Sequence, residues 1–105
     1  MRISALEHQA IVAASREAFP AGTRVLLFGS RLDENRRGGD IDLLVEWPGP
    51  MVAADAVDRR TRFTARLYRL LEEQRIDVVM TQAAQPDSRP VVEVARQQGI
   101  ELART

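Results

Sequence analysis

Three aspartates in this 105-residue chain give the strongest indication of chemistry. Asp40 and Asp42 begin the segment 40–46, whose second half is apolar. Residues two apart in an extended strand point to the same face, so the two carboxylates are predicted to lie side by side. Neighbouring carboxylates repel unless a cation lies between them, and hard oxygen ligands suit Mg²⁺ or Mn²⁺. The spacing therefore predicts a site for a divalent metal ion.

Asp77 repeats this pattern in a third apolar segment, 76–80. An unpaired charge among apolar neighbours is costly to desolvate, so its presence there needs a reason. If this segment pairs with the strand that carries Asp40 and Asp42, the three acids form one site for two metal ions. One ion would activate the attacking oxygen and the other would hold phosphates.

Gly29 and Ser30 follow directly after the apolar segment 25–28. Glycine lets the backbone approach a ligand closely, and the amides and the serine hydroxyl can bind phosphate oxygens. We expect a triphosphate between this loop and the metal ions. The same two residues are also typical of an ordinary turn, and that reading stays open.

The elements that must position these residues follow from apolar periodicity and from turn residues. A capping box at residues 4–7 and helical spacing predict a first helix up to Ala18. The longest apolar helical face lies between Met51 and Gln74. The remaining predictions are strands at 25–28, 40–46 and 76–80, a loop with at most one helical turn at 29–39, a helix at 90–98 that Gly99 closes, and a tail at 100–102.

These elements predict one α/β (α+β) domain over residues 1–105, with a short mixed sheet. The acids are expected on one face of the sheet and the helices on the other. Charges balance at 15 basic and 15 acidic residues, which argues against nucleic acid or a membrane surface as a partner. Every basic residue is arginine, so a Walker-type lysine is excluded. Without cysteine or a long apolar run, a cytoplasmic protein is expected.

Two segments carry a resemblance to a known family. Leu-Phe-Gly-Ser-Arg at 27–31 and Gly-Asp-Ile-Asp-Leu-Leu-Val at 39–45 resemble the polymerase-beta-type nucleotidyltransferases. The likeness is greatest to the minimal members of this family. The predicted order of helices and strands resembles that of these members over nearly the whole chain. Residues 32–34 and Gly39 depart from what many members carry, and these departures concern the loop rather than the acids.

The resemblance implies a polymerase-beta-like core and a metal-dependent transfer of AMP from ATP to a hydroxyl acceptor. Gly29 and Ser30 would hold the triphosphate. Asp40 and Asp42 would bind both metal ions, which are expected to be Mg²⁺ with Mn²⁺ possible. Asp77 would complete the metal site and help to deprotonate the acceptor.

The resemblance also implies a partner, because minimal members often pair with a small helical protein of the HEPN type. In toxin-antitoxin pairs the antitoxin adenylylates its toxin, so protein adenylylation is the expected activity. Two alternatives stay open. The chain could be a non-catalytic antitoxin that neutralises a partner by contact, or it could transfer a nucleotide to an antibiotic or an RNA. A homo-oligomer is compatible with all of these.

Several arginines could belong to a binding site or to the protein surface, and the sequence leaves both interpretations open. Arg31 either contacts a phosphate, as the resemblance implies, or is a solvated loop residue. Arg60 lies close to the apolar face of the long helix, where its side chain must extend to water or find a carboxylate. A stripe beside that face either grips an acidic partner or is a solvated surface; its members are Arg59, Arg62, Arg66 and Arg69.

Overall fold

Three α-helices and four strands form in the computed structural model, which describes residues 1–36, 39–71 and 74–105. A single 3₁₀ turn, Gly29–Leu32, follows the first strand, as the sequence predicts. In chain order the elements are α1 (Ala5–Ala18), β1 (Arg24–Phe28), β2 (Ile41–Trp47), α2 (Ala53–Leu70), β3 (Ile76–Gln82), α3 (Pro90–Gln98) and β4 (Ile100–Arg104).

Local signals explain where the helices begin. Ser4 caps α1 with a complete capping box, in which the Ser4 hydroxyl accepts from the Glu7 amide at 3.0 Å and the Glu7 carboxylate accepts from the Ser4 amide at 2.8 Å. This exchange satisfies amides that the first turn of a helix leaves unpaired. Pro90 opens α3, where its missing amide hydrogen costs nothing.

The four strands form one mixed sheet in the order β3-β2-β1-β4. β1 runs antiparallel to both β2 and β4, whereas β2 and β3 are parallel. A parallel pair needs a long crossover, and α2 supplies it. The third strand lies beside the second, with Ile41 opposite Ile76 and Asp42 opposite Asp77, so the condition under which the sequence joins the three acids in one site is met.

Side chains of the sheet alternate between two apolar clusters. α1 and α2 pack on one face in the larger cluster, which includes Val25 and Leu27 of β1. The smaller cluster joins α3 to the other face through Leu26 and Phe28. Its remaining buried members are Leu44, Val92 and Ala95. The predicted α+β class with a short mixed sheet is confirmed and is compatible with a polymerase-beta-like core.

One part of the predicted architecture is wrong: not all helices share a face. α3 packs on the face that also carries Asp42, since Asp42 and Leu44 alternate with Leu43 along β2. The apolar period of a short helix shows that it has a buried side, but it does not show which face of the sheet that side covers.

The predicted tail at 100–102 is also wrong, because it is the start of β4 and pairs with β1 through an irregular register at Val25 and Leu26. Its partner is far away in sequence, so local pattern alone did not reveal it. α2 begins two residues later than Met51 and ends at Leu70, where Leu71 adopts an extended backbone. Residues 37 and 38 of the predicted loop, and 72 and 73 of the predicted helix, lie outside the described residues.

α2 is the longest helix, with 18 residues, and its exposed side is rich in charge. In the described ranges, no helix combines the length and apolar character that crossing a membrane requires.

Phe63 anchors α2 to the sheet and offers a direct test of this packing. Its side chain is fully buried, and its ring centre lies 4.9 Å from that of Phe19. Phe63→Ala should lower the free energy of unfolding by about 3–5 kcal/mol, as expected for a large cavity in a core. Urea denaturation measures this change.

Val57→Ala is the matched control, because Val57 lies on the same helix with 54% of its surface exposed. It should change the free energy of unfolding by less than about 0.5 kcal/mol. Equal losses in the two variants would contradict the packing described for α2.

Candidate active site

Asp42 and Asp77 lie side by side because β2 and β3 are parallel and in register. Asp42 is half-buried on the central strand, and its neighbour Asp77 is exposed on the edge strand. Burial raises the pKa of Asp42, and the charges of Asp77 and Asp40 together with a hydrogen bond to the Asp77 side chain raise it further. The three predicted acids therefore interact electrostatically at one end of the parallel strand pair.

The exposure of Asp77 corrects one part of the sequence argument. Asp77 was expected to be costly to place among apolar neighbours, but its side chain reaches solvent from β3, the edge strand of the described sheet. The alternating pattern of a half-exposed edge strand explains an acid at this position without any metal ion. Proximity to Asp42, rather than burial, is therefore the observation that keeps Asp77 a candidate site residue.

Asp40 immediately precedes β2 and is partly exposed. Its carboxylate Oδ2 lies 4.0 Å from Nε of Arg75, a residue that the sequence analysis did not single out. The signal for Arg75 was present, since Arg75 and Asp77 have the same two-residue spacing as Asp40 and Asp42. The site thus contains three acids and one exposed arginine.

The donor set fits Mg²⁺ in part. Mg²⁺ typically binds one or two carboxylates and completes its shell with water and substrate phosphates. Asp42 and Asp77 supply such a pair, and their mutual repulsion gives them a reason to bind a cation. Within residues 1–36, 39–71 and 74–105, however, no group of three or more acidic, histidine or cysteine side chains converges closely enough to hold a metal ion by itself.

Gly29 lies against Asp42 at the end of β1. Its φ of +78° is one that side-chain-bearing residues rarely adopt. A Cβ atom added at this position would clash with Oδ2 of Asp42 and lie 3.1 Å from its Cγ atom. Glycine at position 29 therefore lets the backbone of the predicted phosphate loop touch the predicted metal ligand.

Ser30 lies beside Gly39, at the other end of the loop. Gly39 has a φ of +91°, and a Cβ atom there would lie 2.5 Å from the Ser30 hydroxyl oxygen. Ser30 and Gly39, near the two ends of the segment between β1 and β2, are consequently close in space. Gly29 therefore lies against Asp42, and Ser30 lies against Gly39, the residue before Asp40.

Arg31 points away from solvent and binds the protein. Its Nε donates to the Gly39 carbonyl at 3.1 Å, and NH1 donates to the Arg2 carbonyl at 3.0 Å. NH1 also lies 3.5 Å from the buried Glu7 carboxylate, and NH2 lies 3.4 Å from the Gln74 side-chain oxygen. Each guanidinium nitrogen has a protein acceptor, so Arg31 braces the loop; its predicted phosphate contact stays a prediction.

Two further residues support the loop and were missed by sequence reasoning. Arg2 donates its backbone amide to the Arg31 carbonyl at 2.6 Å and its side chain to the carbonyls of Ser30 and Asp33. Burial would raise the pKa of Glu7, but hydrogen bonds from Ser4 and Gln74 and the charge of Arg31 lower it overall. Capping boxes are recognisable in sequence, but the contact of this one with the loop is not.

Most arginines of the stripe on α2 form ion pairs with acidic residues of the same chain. Arg59 pairs with Asp55 and lies over the Trp47 ring, 5.6 Å from its centre. The other ion pairs join Arg62 to Asp58 and Arg66 to Glu17. These contacts favour the reading of the stripe as a solvated helix face.

No model of a known protein family matches this chain, and no curated protein shows significant similarity to it.

The close approach of Gly29 to Asp42 predicts a strong effect of Gly29→Ala. The added methyl group must displace the Asp42 carboxylate, and the backbone is strained at this φ. We expect a loss of about 1–3 kcal/mol in the free energy of unfolding, measured in urea. Gly49→Ala is the control, because the added Cβ meets no atom within 4 Å. If both variants retain full stability, the contact is not as described.

The raised pKa of Asp42 predicts that Asp42→Asn stabilises the metal-free protein. A raised pKa means that the folded chain disfavours the ionised carboxylate. Ionised Asp42 therefore lowers the free energy of unfolding as the pH rises above 3.8, the ordinary pKa of an aspartate. With a chelator at pH 7, the variant should melt a few degrees higher than the parent. The gain should vanish at a pH below 3.8, where Asp42 is protonated in both states.

Asp58→Asn provides the comparison, because Asp58 is an exposed acid that pairs with Arg62 on α2. This variant should show no gain at pH 7. A lower melting temperature for Asp42→Asn than for the parent would disprove the repulsion between the acids.

Proposed function

We propose that this chain is a metal-dependent nucleotidyltransferase that transfers AMP from ATP to a hydroxyl group. The observation that carries this proposal is the placement of Asp42, which is the register partner of Asp77 on one side and lies against the Gly29 turn on the other. Acids held together against their repulsion indicate a cation, and a tight glycine turn beside them suits phosphate. The resemblance of residues 27–31 and 39–45 to polymerase-beta-type enzymes agrees with this chemistry.

In this proposal, Asp40, Asp42 and Asp77 hold Mg²⁺ together with the phosphates of ATP. Bound Mg²⁺ would neutralise the charge that develops on the phosphates and lower the pKa of the acceptor hydroxyl. The amides and the hydroxyl at Gly29 and Ser30 would donate hydrogen bonds to the triphosphate. The loop contacts of Arg31 would keep these donors in place before the nucleotide binds.

The reaction is an in-line displacement at the α-phosphorus. The acceptor oxygen forms a bond to this phosphorus while the bond to the bridging oxygen of the β-phosphate breaks, and pyrophosphate leaves. Asp77 receives the proton of the acceptor hydroxyl. Its exposure on the edge strand suits this role, because an acceptor can reach the carboxylate from solvent.

The acceptor in this proposal is a separate protein, and the partner implied by the resemblance is a small helical protein of the HEPN type in a toxin-antitoxin pair. The position of β3 at the edge of the described sheet supports an external acceptor. A groove of about 340 Å³ lies between α2 and β3, with Arg60 and Arg89 in its wall. A reaction that consumes ATP and modifies such a partner would take place in the cytoplasm.

Transfer of label tests the proposed activity. The chain, Mg²⁺, ATP labelled at the α-phosphate and the product of the neighbouring gene should yield a labelled partner protein. Asp42→Asn and Asp77→Asn should each reduce the rate by at least about a hundredfold, because each removes a ligand at the reacting centre. Asp58→Asn, which leaves the site intact, should retain the parental rate.

The stability expected for Asp42→Asn makes this test sharper, since lost labelling in that variant cannot then be attributed to unfolding. Labelling that survives both site variants would overturn the mechanism. Label on tRNA or on an antibiotic instead of the partner would retain the nucleotidyltransferase activity and replace the acceptor.

A non-catalytic binding module is the second candidate. The observation in its favour is that no three acids among the described residues converge on one point. Binding and growth rescue distinguish the two functions. A double variant with Asp40→Asn and Asp42→Asn that binds and neutralises the partner as well as the parent would support contact alone; a variant that binds but does not neutralise would support catalysis.

A further inference from the structure

Arg75 lies beside Asp40, at the end of the parallel β2–β3 pair that also carries Asp42 and Asp77. Asp42 and Asp77 are register partners, and one step earlier the Ile41 amide donates to the Arg75 carbonyl at 2.9 Å. This bond fixes the backbone of Arg75 beside Asp40. This end of the β2–β3 strand pair therefore carries three carboxylates and one guanidinium.

A cationic side chain beside the acids would strengthen the binding of nucleotide phosphates at this site. The chain contains no lysine, so only arginine can supply one. Arg31 is the arginine closest in sequence to the glycine turn, but its nitrogens already bind Gly39, Arg2, Glu7 and Gln74. Turning Arg31 toward a phosphate would break these contacts and release the loop.

Arg75 has the opposite properties. Its side chain is 85% exposed, and its contact with Asp40 is long at 4.0 Å. An exposed ion pair of this kind contributes little to stability, so the guanidinium can leave Asp40 at little cost. A cation bound by the acids would offset the charge that attracts Arg75 to Asp40. The planar guanidinium would then be available for a bidentate contact with phosphate.

We propose that Arg75 binds the polyphosphate of the nucleotide, and that Arg31 supports the loop without contacting phosphate. This inference rests on the proposed function. It assigns to Arg75 the role that the sequence resemblance implies for Arg31. The assignment depends on the tertiary pairing of β2 with β3, which brings Arg75 next to Asp40 from 35 residues away in sequence.

Titration calorimetry with Mg²⁺·ATP and with Mg²⁺·tripolyphosphate tests the proposal without requiring an acceptor. Arg75→Gln should weaken both affinities by about tenfold to a hundredfold, the effect of losing a hydrogen bond between charged groups. Arg75→Lys should retain part of the affinity, because it keeps the charge. Labelling assays should show a higher KM for ATP in Arg75→Gln with a smaller change in kcat.

Arg62→Gln is the matched control, since Arg62 is an exposed arginine in an ion pair on α2. It should bind both ligands as the parent does. Arg75→Gln should also melt within about 2 °C of the parent, as expected for an exposed residue. Arg31→Gln should instead melt at a lower temperature, because it removes the contacts of the loop with Glu7 and Gly39.

The outcomes separate this inference from the proposed function. Parental affinity for both ligands in Arg75→Gln would overturn the role of Arg75 and leave the nucleotidyltransferase proposal intact. Absence of ATP binding and of label transfer in the parent would overturn both. Binding of ATP but not of tripolyphosphate by the parent would show that the polyphosphate is not what the site recognises, and would also overturn the inference.

Discussion

The parallel pairing of β2 with β3 is the constraint on which the candidate site depends. Its register places Asp42 directly beside Asp77, and a slip of one residue would move one of the two carboxylates to the opposite face. The pairing is held from behind by α2, which crosses over the sheet and buries Phe63 and Leu67 completely. Core burial therefore offsets the repulsion between acids that would otherwise separate the two strands.

A second constraint comes from the loop between β1 and β2. Gly29 and Gly39 both have positive φ and both lie in close contact, with Asp42 and with Ser30 respectively. Such contacts leave no room for side chains at either glycine. The loop is held from the far side by Arg2 and Arg31, which tie it to the start of α1. These contacts fix the backbone at Gly29 and Ser30 close to Asp42.

Arginine has several separate tasks in a chain that has no other strong cation. Arg31 braces a loop, Arg24 and Arg96 pair with the buried Glu46, and Arg75 is exposed beside the acids. Burial distinguishes these tasks. The side chain of Arg31 is 13% exposed and that of Arg75 is 85% exposed, so of these two Arg75 can reach a ligand without breaking internal contacts.

The sequence by itself determined the α+β class and the positions of the helices and of three of the four strands that the structure describes. It also singled out Gly29, Ser30, Asp40, Asp42 and Asp77 as candidate site residues. These follow from local signals: apolar period, caps, turns and the two-residue spacing of acids. Tertiary structure alone decided that 100–104 is a strand and that α3 packs on the face that carries the acids. It also decided that Asp77 is exposed, and that the side chain of Arg31 is largely buried whereas that of Arg75 is exposed. Each of these depends on which distant segment lies alongside, and pairing between distant segments leaves no period in the sequence of either one.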